Sequence, residues 1–144
     1  MKNIVILDSG CLVAFLSKKD FYHQWVENQL TKINPPLITC EAVISESCFL
    51  LGRCDFNRKQ DVIKLLQTGF MTIPFHLQKE IESIQQLMLK YQNVPMSFAD
   101  ACLVRLSEKY TNSAILTLDS DFNIYRKQSN QMIPTIMPSL ENNL

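Results

Sequence analysis

The stretch Ile4-Val5-Ile6-Leu7-Asp8-Ser9-Gly10 decides the fold class of this chain. Its first four residues are all apolar and mostly β-branched, a pattern typical of a strand that is buried on both faces of a parallel sheet. The strand ends at a carboxylate, and the apolar run over residues 11–16 predicts a short helix directly after it. A buried strand that leads straight into a helix indicates an α/β fold.

Further strands are predicted along the rest of the chain. Apolar runs at residues 37–40, 70–73 and 114–118 have the length of buried strands. Residues 132–137 predict an edge strand, because Pro134 cannot donate a hydrogen bond to a sheet ladder. The chain therefore contains four or five strands that are well separated in sequence.

Apolar residues at helical spacing fill the segments between these strands. The first of these predicted helices is capped by Asp20 and runs to residue 33, the second covers residues 41–51 and ends at Gly52, and the third runs from residue 57 or 58 to Gly69. A long fourth helix has the apolar stripe Leu77, Ile81, Ile84, Met88 and Tyr91. A fifth helix covers residues 97–110, and a helical turn is predicted at residues 119–126. Strands that alternate with helices predict a three-layer α/β/α sandwich around a mainly parallel central sheet of four to five strands. We expect one domain over residues 1–144.

The composition excludes several classes of protein. The 144 residues carry 14 basic and 14 acidic side chains, and this zero formal charge argues against a nucleic-acid binder that works by bulk charge. The longest apolar run, residues 11–16, is too short to span a bilayer, and no charged-then-apolar leader precedes it. Five cysteines without paired spacing predict free thiols in a reducing compartment. We therefore expect a cytoplasmic protein without membrane contact.

Carboxylates follow two of the predicted strands. Asp8 comes directly after the first strand, and Asp119 follows the strand at residues 114–118. Ligands of open parallel sheets bind beyond the carboxyl ends of the strands, so both carboxylates would lie on one rim if the strands are neighbours. Each could instead only cap the next helix. Either Asp119 or Asp121 could face the crevice while the other caps the following turn, and we favour Asp119 because it is nearer the strand end.

Two further acids stand at unusual positions within predicted helices. Glu46 falls inside an apolar stripe, where a carboxylate is costly unless it holds a cation or is paired, with Arg105 or Arg53 as the candidate partners. Asp100 lies three residues after Ser97 and completes a capping box. The same position puts Asp100 near the positive end of its helix, where an ionised carboxylate is favoured.

Several carboxylates in one crevice would repel one another unless a cation lies between them. Oxygen ligands select Mg²⁺ or Mn²⁺, and such a site can activate water and stabilise the leaving oxygen of a phosphodiester. Ser9 and Thr117, next to the strand-end acids, carry hydroxyls that could orient a water or a phosphate, although turn formation explains them equally well.

The ordered motifs resemble those of PIN-domain ribonucleases. The resemblance rests on Ile-Leu-Asp8-Ser9, on Glu46 seven residues after Thr39, on Ser-Phe-Ala-Asp100-Ala, and on Leu-Thr-Leu-Asp119-Ser-Asp121-Phe, and it covers residues 3 to about 137. It implies a PIN-like fold and a Mg²⁺- or Mn²⁺-dependent endoribonuclease. In that family pattern Asp8, Glu46, Asp100 and Asp119 would carry the metal, with Asp121 as the competing fourth ligand.

So short a chain is most similar to VapC-type toxins of type II toxin–antitoxin pairs. That resemblance implies a homodimer, silenced by a small antitoxin whose segment enters the acidic cleft. Single-stranded or structured RNA would also need positive side chains around the cleft. The candidates for these contacts are Lys18, Lys19, Arg53, Arg58, Lys59 and Arg126.

Two other functions remain open from the sequence. An acid-rich phosphatase on a similar sheet would need Asp-x-Asp at its first strand, whereas this chain has Asp8-Ser9-Gly10 there. A PIN-like module without turnover, acting as a scaffold, is disfavoured because all four acids are present.

Overall fold

Five parallel strands form the central sheet. The computed structural model describes residues 3–54 and 58–139 of the chain. The strands of this sheet are β1 (Ile4–Leu7), β2 (Leu37–Ile38), β3 (Met71–Thr72), β4 (Ser113–Leu116) and β7 (Thr135–Ile136). Their order across the sheet is β3-β2-β1-β4-β7. A separate antiparallel ribbon pairs β5 (Arg126–Lys127) with β6 (Gln131–Met132).

The apolar opening stretch forms the centre of the sheet. β1 lies between β2 and β4, and Leu7 is in register with Leu116. The backbone N–H of Asp8 continues this pairing and donates to the carbonyl of Leu116 at 3.1 Å. The segments that leave the carboxyl ends of β1 and β4 therefore start side by side.

Helices cover both faces of the sheet, and the predicted three-layer α/β/α architecture is confirmed. The helices are α1 (Ser9–Leu16), α2 (His23–Leu30), α3 (Glu41–Cys54), α4 (Lys59–Gln67), α5 (Leu77–Lys90) and α6 (Phe98–Lys109), followed by a short 3₁₀ helix at Ser120–Asn123. α6 packs on β1 and β4 and also contacts α3 and α5. The two helices that carry Glu46 and Asp100 are thus neighbours.

The second helix begins later than the sequence predicts. Asp20 accepts a hydrogen bond from the Tyr22 N–H at 2.8 Å and shapes a turn, and the helix starts at His23. Phe21, which lies within the predicted helix, is outside the observed one and 79 % exposed. The predicted end of the third helix at Gly52 is wrong, because the helix continues to Cys54. Residue 57, a predicted start of the next helix, lies outside the described residues.

The buried side of α5 is shifted from the predicted stripe. Ile84 and Tyr91 are buried as expected, but Leu77, Ile81 and Met88 are 39 %, 46 % and 38 % exposed. The side chains that face inward are Glu80, Ile84, Leu87 and Tyr91. The physical reason is Glu80, whose carboxylate binds Arg105 and Lys109 on α6 and thereby turns that side of the helix inward.

The predicted last strand is divided between two sheets. Residues 131–132 belong to the β5–β6 ribbon, and only Thr135–Ile136 joins the central sheet, at its edge. Pro134 lies between them and contributes its carbonyl, which accepts from the Ile115 N–H at 2.9 Å. A proline can accept in a ladder but cannot donate, so the edge position fits its chemistry.

One hydrophobic core extends under the sheet and the helices. Cys11, Cys40, Cys48 and Cys102 are free thiols, as predicted. Within the described residues, no helix has both the length and the apolar character that crossing a membrane requires.

Candidate active site

Acidic side chains from four distant segments line one cavity beyond the carboxyl ends of β1 and β4. The cavity has a volume of about 410 Å³. We call it the acidic cavity, and its lining residues are Asp8, Ser9, Gly10, Glu46, Pro95, Ser97, Asp100, Leu118 and Asp119. The topology explains this convergence, because β1 and β4 are adjacent and α3 and α6 pack against each other.

Asp8 is held rigidly at the end of β1. It is 7 % exposed, and its Oδ1 accepts the Ser9 N–H at 2.7 Å while its Oδ2 accepts the Thr117 hydroxyl at 2.6 Å. The Thr117 oxygen in turn accepts the Asp119 N–H at 3.0 Å. Thr117 is fully buried and does not line the cavity, so its hydroxyl positions Asp8 instead of facing a water or a phosphate.

Burial raises the pKa of Asp8 from its ordinary value of 3.8 to about 6. The hydrogen bonds from Thr117 and Ser9 oppose this shift, and repulsion from Asp100 and Asp119 adds to it. The three carboxylates are therefore close enough to destabilise one another's charge. A cation in the cavity would relieve both the repulsion and the cost of burial.

Asp100 has two roles in the structure. It completes the capping box of α6, since Ser97 Oγ accepts its N–H at 3.0 Å and its Oδ2 accepts the Ser97 N–H at 3.3 Å. The same Oδ2 accepts the Tyr125 hydroxyl at 2.9 Å. Burial raises the pKa of Asp100, the Tyr125 hydrogen bond lowers it, and Asp119 raises it. The helix cap thus also fixes a carboxylate on the cavity wall.

The structure separates Asp119 from Asp121. Asp119 lines the cavity, and its Oδ1 also accepts the Asp121 N–H at 2.9 Å and so caps the following 3₁₀ helix. Asp121 is not among the lining residues. Asp119 therefore both faces the cavity and caps the following turn, whereas the sequence predicts that Asp119 and Asp121 share these two roles.

Glu46 faces solvent at the mouth of the cavity. The expectation that it lies in a buried stripe is wrong, because Val43, Ser47 and Leu51 form the buried side of α3 and Glu46 is exposed. The alternative pairing with Arg105 is wrong as well, since that guanidinium binds Glu80 and Glu108. Glu46 makes no ion pair within the described residues, so its carboxylate is available to the cavity.

The donor set of the acidic cavity fits a hydrated Mg²⁺ or Mn²⁺. Among its described lining residues, the charged groups are all carboxylates, and hard divalent cations prefer oxygen ligands. Over residues 3–54 and 58–139, no three His, Cys, Asp or Glu side chains already form a closed metal-binding group. Mg²⁺ commonly keeps several waters and binds only one or two carboxylates directly, so an open arrangement suits it.

The positive side chains proposed as RNA contacts lie away from the acidic cavity. Lys18 and Lys19 are exposed after α1, Arg53 stacks over Phe49 at 5.9 Å, and Arg58 donates to the carbonyl of Leu16 at 3.0 Å. Lys59 lies at the start of α4. None of these side chains lines the acidic cavity, and Arg126 lines a different cavity.

The sequence gives no indication of one residue that positions the acidic cavity. Tyr125 is fully buried, and its ring packs edge-on against Tyr91 and Phe122, at 5.2 and 5.3 Å between ring centroids. Its hydroxyl reaches Asp100, 25 positions earlier. The only signal available was its spacing of three from Phe122 after the acidic motif, which is typical of any helical turn.

Two known proteins are similar to this chain. The chain is 27 % identical over 116 residues to Ribonuclease VapC26 of Mycobacterium tuberculosis, which covers 80 % of this chain and 86 % of that protein. The crystal structure of Mycobacterium tuberculosis VapC20, a sarcin–ricin-loop-cleaving toxin, superimposes with a TM-score of 0.76 over 83 % of this chain and 93 % of that one. At 17 % identity this second likeness concerns the fold.

The family is established by a match along most of the chain. The sequence profile of the PIN domain matches residues 5–128, a span that contains most of β1, the four cavity-lining acids and Tyr125. The resemblance inferred from the motifs is thereby confirmed, and the chain belongs to the PIN-domain family.

Proposed function

We propose that this protein is a Mg²⁺- or Mn²⁺-dependent endoribonuclease that hydrolyses phosphodiester bonds in RNA and acts as the toxin of a toxin–antitoxin pair. The observation that carries the proposal is the convergence of Asp8, Glu46, Asp100 and Asp119 on one cavity. Such a cavity repels an RNA phosphate unless a divalent cation neutralises it, so the acids require a cation for this function.

The residues of the acidic cavity would have different roles in this reaction. Asp8, Asp100 and Asp119 would hold the cation, and the exposed Glu46 would complete the set from α3. When bound, the cation would activate a water and stabilise the leaving oxygen of the phosphodiester. Ser9 lines the cavity beside Asp8, so its hydroxyl is placed to orient a water or a phosphate oxygen. Thr117 and Tyr125 hold two of the carboxylates in place through hydrogen bonds.

The relatives support the choice of RNA as substrate. One is a ribonuclease similar over most of its length, and the other, of the same fold, is a toxin that cleaves the sarcin–ricin loop. By analogy we assign this chain to the cytoplasm, with a small antitoxin as its partner. A homodimer is supported by the apolar side chains that α5 leaves exposed, among them Ile81 and Leu89, which are 46 % and 59 % exposed.

The enzymatic proposal is tested by incubating the purified chain with single-stranded RNA and Mn²⁺. We expect cleavage that a chelator abolishes and that added Mn²⁺ restores. Asp119→Asn should abolish it, whereas Asp121→Asn, a matched change two residues away and off the cavity, should retain most of it. Equal loss in the two variants, or hydrolysis of a small phosphomonoester in place of RNA, would contradict the proposal.

The toxin role is tested in growing bacteria. Expression of the intact chain should slow growth, and the Asp119→Asn variant at the same protein level should not. Equal toxicity of both proteins would show that growth arrest has a cause other than nuclease action.

A further inference from the structure

A second cavity of about 360 Å³ lies between α5, α6 and the turn that joins β5 to β6. We call it the basic cavity. Its charged lining residues are Lys90, Arg105, Glu108, Arg126 and Lys127, and polar residues 128–130 close one side. The protein as a whole has no net charge, so a concentration of four cations around one cavity is a local feature of the fold.

The carboxylates near this cavity are already engaged. Arg105 donates to Glu80 at 2.6 Å and to Glu108 at 3.4 Å, and Lys109 donates to the other oxygen of Glu80 at 2.7 Å. These groups neutralise one another within α5 and α6. The remaining cations of the cavity are not part of this network.

Three positive side chains of the basic cavity have no acidic partner in the described part of the chain: Lys90, Arg126 and Lys127. Lys127 is the most notable, because it is only 8 % exposed. Lys127 lines the cavity without an ion-pair partner in the described residues, and a bound anion would supply the missing opposite charge.

The available donors of this cavity are ammonium groups, and that of Lys90 lies over the Tyr91 ring at 5.2 Å from its centroid. A guanidinium would bind a carboxylate or a phosphate in two-pronged geometry, but both guanidinium groups here have other partners. Here Arg105 is paired, and Nη1 of Arg126 donates to the carbonyls of Asn123, Ile124 and Tyr125 at 2.6, 3.1 and 3.1 Å. Lysine ammonium groups act as point charges and bind phosphate without such a fork. The ammonium groups of Lys90 and Lys127 are therefore the principal anion ligands.

The turn at residues 128–130 adds hydroxyl and amide groups. Ser129 and Asn130 both have left-handed backbones, with φ of 61° and 57°. The Gln128 side chain donates to the carbonyl of Glu108 at 3.2 Å and ties the turn to the end of α6. The Ser129 hydroxyl and the Asn130 amide belong to exposed residues that line the cavity together with the two lysines. Contacts of this kind with phosphate and sugar oxygens position a nucleic acid without selecting its sequence.

A short chain of contacts joins the basic cavity to the acidic one. The backbone N–H of Arg126 donates to the Tyr91 hydroxyl at 2.7 Å, and the Tyr91 ring packs on Tyr125 at 5.2 Å between centroids. The Tyr125 hydroxyl donates to Asp100. The two cavities are thus connected through two packed aromatic rings.

We propose that the basic cavity binds a backbone phosphate of the RNA, a few nucleotides away from the phosphodiester in the acidic cavity, through Lys90 and Lys127. The proposal rests on the proposed nuclease function for the identity of its ligand. According to this proposal, the RNA backbone is bound by this cavity, and not by the lysines and arginines near α1, α3 and α4.

The test measures binding of a short fluorescent single-stranded RNA in chelator, where cleavage cannot occur, over a series of salt concentrations. The variant is Lys90→Gln/Lys127→Gln. The control is Lys32→Gln/Lys79→Gln, which removes the same charge at exposed lysines outside the cavity. Loss of this one phosphate contact should reduce the slope of log K against log salt by about 0.7 and weaken binding roughly tenfold at 0.1 M salt.

The control should bind the RNA like the unaltered protein. Equal weakening in both double variants would show a bulk charge effect and overturn the proposal. A glutamate-rich peptide that competes with the RNA at equal charge would also overturn it, in favour of a protein partner. Lys90→Gln alone should give about half of the slope change, and this exposed single change keeps the test valid if the Lys127 change disturbs folding.

Cleavage with Mn²⁺ distinguishes the two proposals. A dinucleotide has no backbone phosphate besides the one that is cleaved, so the unaltered protein and the Lys90→Gln/Lys127→Gln variant should cleave it equally. Binding that depends on the two lysines without any cleavage would refute the nuclease and leave the phosphate site standing. Cleavage of RNA together with unchanged RNA binding by the Lys90→Gln/Lys127→Gln variant would refute the phosphate site and leave the nuclease proposal standing.

Discussion

The acidic and basic cavities are similar in size, about 410 and 360 Å³, but treat charge in opposite ways. In the acidic cavity, carboxylates from four segments converge, and no described residue that lines it is cationic. Around the basic cavity, two carboxylates are already bound by arginine and lysine, and the surplus is positive. A chain of zero net charge can thus present two strongly charged sites, because the fold places acidic side chains around one cavity and basic side chains around the other.

The largest expected effect is on catalysis in the acidic cavity. Asp8→Asn removes a charge that a cation needs but keeps the size of the side chain, so cleavage of single-stranded RNA should fall roughly a thousandfold. The melting temperature should stay equal or rise, because a self-repelling carboxylate is lost. Rates in Mn²⁺ and calorimetric melting of the same preparation check both points. An unfolded variant would show instead that Asp8 is chiefly structural.

The pH dependence of stability should distinguish the two regions. In protein freed of divalent cations, Asp8 is protonated in the folded state up to about pH 6 but ionises near 3.8 in the unfolded chain. The free energy of unfolding should therefore fall by about 3 kcal/mol as the pH rises through this window. Urea titrations at several pH values measure it. Asp8→Asn should remove this decrease, and an unchanged profile in that variant would refute the assignment.

The network beside the basic cavity should respond to pH in the other direction. Hydrogen bonds from Lys109 and Arg105 hold the pKa of Glu80 below its ordinary value of 4.5. Its contribution to stability is present above that value and is lost as the pH falls through the lowered pKa. Glu80→Gln should cost about 2 kcal/mol at neutral pH, since it weakens two charge-assisted hydrogen bonds. Glu82→Gln, an exposed change on the same helix, should cost almost nothing by the same urea assay.

The smallest expected effect concerns the tyrosine between the cavities. Tyr125→Phe removes the hydrogen bond that lowers the pKa of Asp100, so that pKa should rise. We expect a several-fold loss of cleavage rate, a shift of the acidic limb of the pH–rate profile to higher pH, and a stability cost of about 1 kcal/mol. Tyr110→Phe is the matched control. If the pH profile of Tyr125→Phe stays unchanged, the hydroxyl has a purely structural role.

Most of the fold could be predicted because its strands are encoded locally. The run Ile4–Leu7 is buried on both faces and bounded by Asp8, and the capping box at Ser97 marks the start of α6. The errors arose where distant contacts decide the outcome. The buried side of α5 follows Glu80, whose partners Arg105 and Lys109 lie 25 and 29 positions away. Gly52 lies within α3 because tertiary packing outweighs its modest helix penalty.

The acids of the candidate site were visible from the sequence, but their surroundings were not. Asp8 and Asp119 stand at strand ends, where topology gives them a common rim. Glu46 was singled out for a burial that it does not have, because helical periodicity cannot tell which helix neighbours cover a stripe. Tyr125 and Lys90 could not be predicted as site residues, because a single tyrosine or lysine belongs to no recognisable sequence motif. Only the packing of α5, α6 and β5 brings them to the two cavities.

Both borders of the central sheet are very short. β3 and β7 are two residues long each, and a proline immediately precedes β7. A strand from another molecule would find only a few unpaired backbone groups there, which protects the sheet from growing by edge-to-edge addition. Copies of this protein that associate will therefore meet through side chains, so the stoichiometry of an assembly can be altered by surface substitutions that leave the backbone hydrogen bonding untouched.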